Sequence, residues 1–226
     1  MVVVPRPQQS TEWDDVKATK LRHAWLAGLW LLVHVGGVGT RSRRGLGSLR
    51  IEGWDGWREC EELPLPSQAS TPQEWVSRME SGLVTLRNWF PKEPTGDHTL
   101  VKRGARFLVV KQGHSDWEHA LDDAGLRLQQ FRRSAGPERA GFGLPLTFRN
   151  PRFRQYNAIT ASGRLASPLF VRVLRLGQSY HPAFISLPAP IPPPGQETKS
   201  WPQGAATVVR DFLDKMVKPD ALEFTL

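Results

Sequence analysis

The sequence predicts an α+β fold, and three features of its patterning lead there. Apolar residues recur at helical spacing in three long segments, at 16–35, 71–89 and 115–135. Short runs rich in β-branched and aromatic residues, punctuated by glycine, read as strands at 106–111, 165–176 and 183–187. The connections are too irregular for a clean parallel βαβ series, so an α+β arrangement is the better match.

Taken in order, Val2, Val3 and Val4 resemble the end of a strand that runs into a polar turn. Residues 16–35 form a predicted helix with Leu21, Trp25, Leu29, Leu32 and Val33 at helical spacing. Ala24, Leu26, Trp30 and Leu31 make it apolar on nearly every side, as befits a helix between packed layers. Gly36 and Gly37 stop it. A strand is expected over 46–52, followed by a turn in which Trp54 and Trp57 cover the core edge. Residues 61–70, with two prolines and two serines, read as a linker. That divides the chain into residues 1–60 and a second α+β domain over 61–226.

Thr71-Pro72-Gln73-Glu74 supplies a capping box with proline at the first helical position. Trp75, Met79, Leu83, Leu86 and Phe90 then share one face. A second capping box, Ser115-Asp116-Trp117-Glu118, starts a helix that turns Trp117, Leu121, Ala124, Leu128 and Phe131 inward. A Gly177 turn separates the next two strands, and the proline run at 188–194 is extended. A last helix over 205–217 and a final strand over 222–224 complete the expectation.

Composition narrows the partners. Thirty Lys and Arg against 22 Asp and Glu give the 226 residues a net charge of +8, with a sequence pI near 10.1. Such a balance favours an anionic partner, nucleic acid ahead of a membrane surface. A single cysteine, Cys60, excludes an internal disulfide and a Cys-based zinc site, which fits a reducing cytoplasm. No secretory signal is visible, and the strongest apolar run, 24–35, is too short to span a bilayer. No cofactor is expected.

Chemistry concentrates between the first helix and the segment that follows it. There Gly36, Gly37, Gly39, Gly45 and Gly47 are interleaved with Arg41, Arg43 and Arg44 and with Thr40, Ser42 and Ser48. Glycine permits close backbone approach to a ligand, and arginine offers a planar fork of donors suited to phosphate. A Walker loop is excluded because no lysine is present. A dinucleotide fingerprint is excluded because the third glycine is missing and the order is helix, loop, strand. No helix N-terminus faces the loop in that order. Polymer backbone binding remains, with the three arginines projecting from the loop; a solvated surface loop is the bland alternative.

Further candidates are weaker. Arg149, Arg152 and Arg154 alternate with Phe148, Phe153 and Tyr156, a composition suited to single-stranded RNA or to a half-buried hairpin. Lys102, Arg103 and Arg106 precede a strand and could track a backbone. Cations between Arg127 and Arg133 complement the macrodipole at a helix end, which suffices to explain them. His114, Asp116, Glu118 and His119 flank a helix start, where acids are expected anyway. His34 reads as a packed residue. No metal or catalytic site is predicted.

The loop, with its helix before and strand after, resembles the glycine-rich loop of the RAMP superfamily of CRISPR-associated proteins. The match is closest to the first-subunit family of the Cmr complex, the type III-B effector. Two later stretches agree with it, Gly141-Phe142-Gly143-Leu144-Pro145-Leu146 and Arg164-Leu165-Ala166-Ser167-Pro168-Leu169. The resemblance implies ferredoxin-like (RRM-like) folds and a non-catalytic subunit that contacts guide RNA, target RNA and neighbouring RAMP subunits in antiviral defence. It also implies that the opening strands of the first such fold are absent, so that the chain is a C-terminal piece or its start is misplaced. The other readings are a RAMP-type endoribonuclease that processes guide RNA, and a pure protein-interaction subunit.

Overall fold

The computed structural model describes residues 15–92, 101–143, 148–157, 165–193 and 201–226. The strand expectation at the extreme N-terminus and parts of two motifs, 144–146 and 164, lie outside the described residues. Elements follow in the order α1 (Asp15–His34), α2 (Arg58–Glu62), α3 (Pro72–Trp89), β1 (Arg106–Val110), α4 (Trp117–Ser134), β2 (Leu169–Leu176), β3 (Ser179–Ser186), α5 (Val208–Phe212) and β4 (Ala221–Thr225). Short 3-10 turns occur at Pro66–Gln68, Gly136–Phe142 and Pro151–Tyr156.

The four strands form one antiparallel sheet in the order β2-β3-β1-β4. Central β1 is buried on both faces, which is why Phe107-Leu108-Val109-Val110 is an unbroken apolar run. Alternation along the strand sorts these residues to opposite sides. Phe107 and Val109 join Phe170, Ala183 and Ile185 against α1 and α3. Leu108 and Val110 join Leu169, Val171 and Phe184 against α4 and α5. On this second face Phe131, Phe142 and Phe184 each meet Phe212 edge-on at 5.5–5.9 Å, the favoured geometry for aromatic quadrupoles.

Caps set the two long helices. Thr71 Oγ1 accepts from the Glu74 amide at 3.2 Å, and Glu74 Oε2 accepts from the Ser70 amide at 2.8 Å. At α4 the cap is Asp116, one residue later than expected, because its carboxylate takes the His119 amide at 2.9 Å. Asp116 is held down to a pKa of about 2 by that amide and by the His119 ring.

Four expectations need correction. First, α1 buries Leu26, Ala27, Trp30 and Val33, while Leu21, Trp25 and Leu32 face outward; Phe90 and Trp117, expected on the inward faces of their helices, are likewise exposed at the helix ends. Second, residues 46–52 form no strand; pairing in this region ends at a single backbone bridge between Arg44 and Val171. Third, residues 61–70 are packed, with Leu63, Leu65 and Ala69 buried and Trp30 Nε1 donating to the Pro64 carbonyl at 2.7 Å. Fourth, the last helix begins at Val208 and continues as one wider π turn over Leu213–Val217. The core that holds Leu26 and Trp30 also holds Trp75 and Phe107, so buried packing crosses the boundary drawn at residue 60.

Candidate nucleic-acid interface

The glycine–arginine loop is shaped by backbone contacts that side chains would block. Val38 donates its amide to the Gly47 carbonyl at 3.0 Å and so closes the loop on itself. Gly47 has φ +76°, and a Cβ there would lie 1.8 Å from the Val38 carbonyl oxygen. Gly37 lies beside the same closure, and Gly39 and Gly45 are further turn points.

Two arginines fix this loop to the sheet. The buried guanidinium of Arg172 in β2 donates to the carbonyl of Val33, an orphan acceptor in the last turn of α1, and to that of Gly36 just beyond the helix. Arg43 bends back instead of projecting, which corrects the expectation for one of the three loop arginines. Its Nη1 donates to the Ser167 carbonyl, and its guanidinium lies 4.4 Å from the Phe170 ring centroid. Burial lowers the Arg43 pKa. Meanwhile the Val171 amide donates to the Arg43 carbonyl at 3.1 Å. The loop therefore borders the open edge of β2, with Arg41 and Arg44 left exposed.

A pocket of about 300 Å³ opens against this loop. Its walls come from Thr40 to Arg44, from Leu128 and Arg132 of α4, from Phe142 and Gly143, and from Leu165 to Ser167. All three sequence stretches singled out above thus meet at one place. Gly143, at φ +113°, sits so close to Leu165 and Ser167 that a Cβ would fall 2.8 Å from the Leu165 oxygen. Among the described residues, no carboxylate lines the pocket. Arg132, assigned only a helix-end role from the sequence, belongs to this wall. Its pKa is lowered by burial and by the like charges of Arg139 and Arg44. Like charges gathered without an acid make a site for an anion. The available signal was its position four residues after Leu128, on the same helical face.

The other candidates separate by role. Arg149, Arg152 and Arg154 are exposed around the Pro151–Tyr156 turn, but Phe148 is buried, and Phe153 and Tyr156 pack against its small core. The arginines of that motif face solvent while its aromatics face inward. Ser42 sits half-buried in the pocket wall. Arg106 pairs with Glu223 at 2.5 Å and Asp214 at 2.7 Å, and Arg127 pairs with Asp123 at 2.8 Å and Asp220 at 3.0 Å. Both are structural ties rather than open cations. His34 is buried against Trp30, and desolvation together with the Arg172 charge lowers its pKa to about 3. Trp54 and Trp57 pack on the core. Among the described residues, no group of three His, Cys, Asp or Glu side chains could hold a metal ion, and no helix is long and apolar enough to cross a membrane.

No protein-family model matches the sequence, and no curated protein matches it. Among solved structures, the chain has the fold of Cmr1 from Pyrococcus furiosus, determined in its apo form. The superposition has a TM-score of 0.52 at 19% sequence identity and covers 85% of this chain and 57% of that one. The chain therefore spans little more than half the length of the Cmr1 chain it matches. This Cmr1-like fold agrees with the family resemblance carried by the loop.

Proposed function

We propose that the chain is a non-catalytic RNA-binding subunit of a type III-B CRISPR ribonucleoprotein. The observation that carries this reading is the pocket bordered by Arg41, Arg43, Arg44 and Arg132, to which four separate segments contribute and no described carboxylate does. A phosphodiester supplies the missing negative charge, and the glycine-rich backbone lets it come close. The element order β1-α4-β2-β3-α5-β4, with α4 and α5 on one face, supports treating this unit as a ferredoxin-like RAMP fold. Among the described residues, the pocket lining offers no general base, since it contains no His, Lys, Asp or Glu. A binding role is therefore favoured over guide-RNA cleavage.

Contact with neighbouring subunits has its own support. Leu21, Ala24, Trp25, Gly28, Leu29 and Leu32 leave an apolar stripe on the outer side of α1. Such a stripe suits a protein neighbour. The function is tested by titrating labelled single-stranded RNA with the protein at low salt in EDTA, then resolving the RNA on a gel. Saturable binding with intact RNA is expected. Defined cleavage products would move the assignment to an endoribonuclease, and absence of binding would remove the RNA role.

A further inference from the structure

The loop borders a second concavity that the reading above does not use. Residues 40–44 line the arginine pocket, whereas Gly45 to Arg50 line a separate cavity of about 360 Å³. Its other walls come from α1, α3, the start of α4 and the β2–β3 hairpin. Trp75 and Leu176 are buried there, Tyr180 is half-buried, and Trp117 is 48% exposed. The lining is thus largely apolar and aromatic, but it is not uniformly so.

Two polar residues in this wall carry unpartnered nitrogens. Among the described residues, Arg172 Nε and His34 Nε2 are buried without a hydrogen-bond partner. The Arg172 guanidinium donates through Nη1 to the Gly36 carbonyl and through Nη2 to the Val33 carbonyl, and among the described residues it pairs with no carboxylate. Its positive charge is therefore answered by carbonyl dipoles and by no ion pair, behind an aromatic chamber. Arg50, which lies 3.5 Å from the Glu52 carboxylate, and Arg175 add further cations, and among the described residues no Asp or Glu lines the cavity. A flat ligand with apolar faces and an electron-rich edge fits these demands. A purely aliphatic group would leave the unpartnered nitrogens unanswered, and a carboxylate side chain would leave the aromatic walls unused.

We propose that this cavity takes a single base of the RNA strand whose backbone lies in the arginine pocket, with the base stacked against Trp117 and Tyr180. The proposal rests on the RNA-binding reading. The loop is the partition between the two sites: phosphates lie on its Arg41 and Arg44 side, and the base enters on its Gly45 to Ser48 side. An aromatic ring at the mouth and a cation at the back are the elements with which proteins hold unpaired bases. The shared chemistry, a nucleobase, could also come from a free nucleotide, and the assay separates the two sources.

The test uses the full chain, a fluorescent ten-nucleotide oligouridine, an abasic strand of equal length, and free UMP. Trp117→Ala removes the stacking surface at an exposed position, and Ser48→Trp fills the cavity from the loop. Circular dichroism confirms that each variant is folded. Both substitutions are expected to weaken oligouridine binding on the order of tenfold. Neither should alter the abasic strand or the salt slope, and UMP should compete only at far higher concentration than the strand. Unchanged oligouridine affinity in both variants, alongside a loss in Arg41→Ala/Arg44→Ala, overturns the base pocket and leaves the RNA reading standing. UMP binding that matches the strand and depends on Trp117, with strand affinity unchanged in Trp117→Ala, overturns it in favour of a free-nucleotide site. No binding of either strand by the parent protein overturns both readings.

Discussion

Arg172 and Val33 are 139 residues apart in sequence, yet the guanidinium of the first donates to the carbonyl of the second at 2.6 Å. That bond, with its companion to Gly36, holds the end of α1 on β2 and sets the place where the glycine–arginine loop begins. The guanidinium is almost wholly buried, and desolvation lowers its pKa to about 10. It remains charged at neutral pH because the helix-end carbonyls take the place of water.

Arg172→Leu is accordingly expected to destabilise the protein by about 2–4 kcal/mol, since two buried carbonyls lose a charged donor while one desolvated charge is removed. Urea denaturation checks this, with a lowered midpoint at unchanged slope as the expected outcome. An unaltered midpoint would show that the loop is held by other contacts.

His34 supplies a pH dependence. In the folded protein its pKa falls to about 3, whereas the unfolded chain carries an ordinary histidine near 6.5. Between these values the unfolded state binds the extra proton, so stability is full above about pH 6.5 and declines as pH falls toward 3. The slope from this residue is about 1.4 kcal/mol per pH unit. Stability curves at pH 7, 6, 5 and 4 should fall more steeply in the parent than in His34→Gln, the difference approaching that slope below pH 6.

Gly47 admits no side chain without opening the loop, because a Cβ would collide with the Val38 carbonyl oxygen. Gly47→Ala is expected to strip hydrogen-exchange protection from the Val38 amide while amides in β1 keep theirs. RNA affinity should fall with it by roughly tenfold, a loss on the scale of one or two charge-assisted contacts. Retained protection at Val38 would contradict the closure.

What the sequence made legible follows from where local and tertiary forces agree. Helices α3 and α4 were readable because caps, periodicity and buried faces coincide at Thr71, Trp75, Asp116 and Phe131. Strand β1 was readable because a central strand buried on both faces must be apolar throughout. The buried face of α1 was not, since Trp25 and Trp30 are equally apolar and only packing against α3 and the sheet decides between them. The 61–70 segment looked like a linker by its prolines, yet its leucines fill a gap beside Trp30. At the candidate site the loop announced itself by glycine and arginine. Arg132 did not, because a cation in a helix's last turns has a sufficient local reason, and only the fold brings it to Arg44. Arg43 could not be told from its neighbours until the Ser167 carbonyl and the Phe170 ring were placed beside it.

The central claim is that Arg41, Arg44 and Arg132 grip an RNA backbone, and the salt dependence of binding tests it most directly. Three phosphate contacts on a single strand predict a slope of about −2 for log K against log salt concentration. Fluorescence anisotropy of a labelled ten-nucleotide single-stranded RNA, titrated from 50 to 200 mM salt, should give that slope for the parent protein. The Arg41→Ala/Arg44→Ala/Arg132→Ala variant, still folded, should bind weakly with a slope near zero and lose affinity equally for every sequence. An unchanged affinity and slope in that variant would contradict the account.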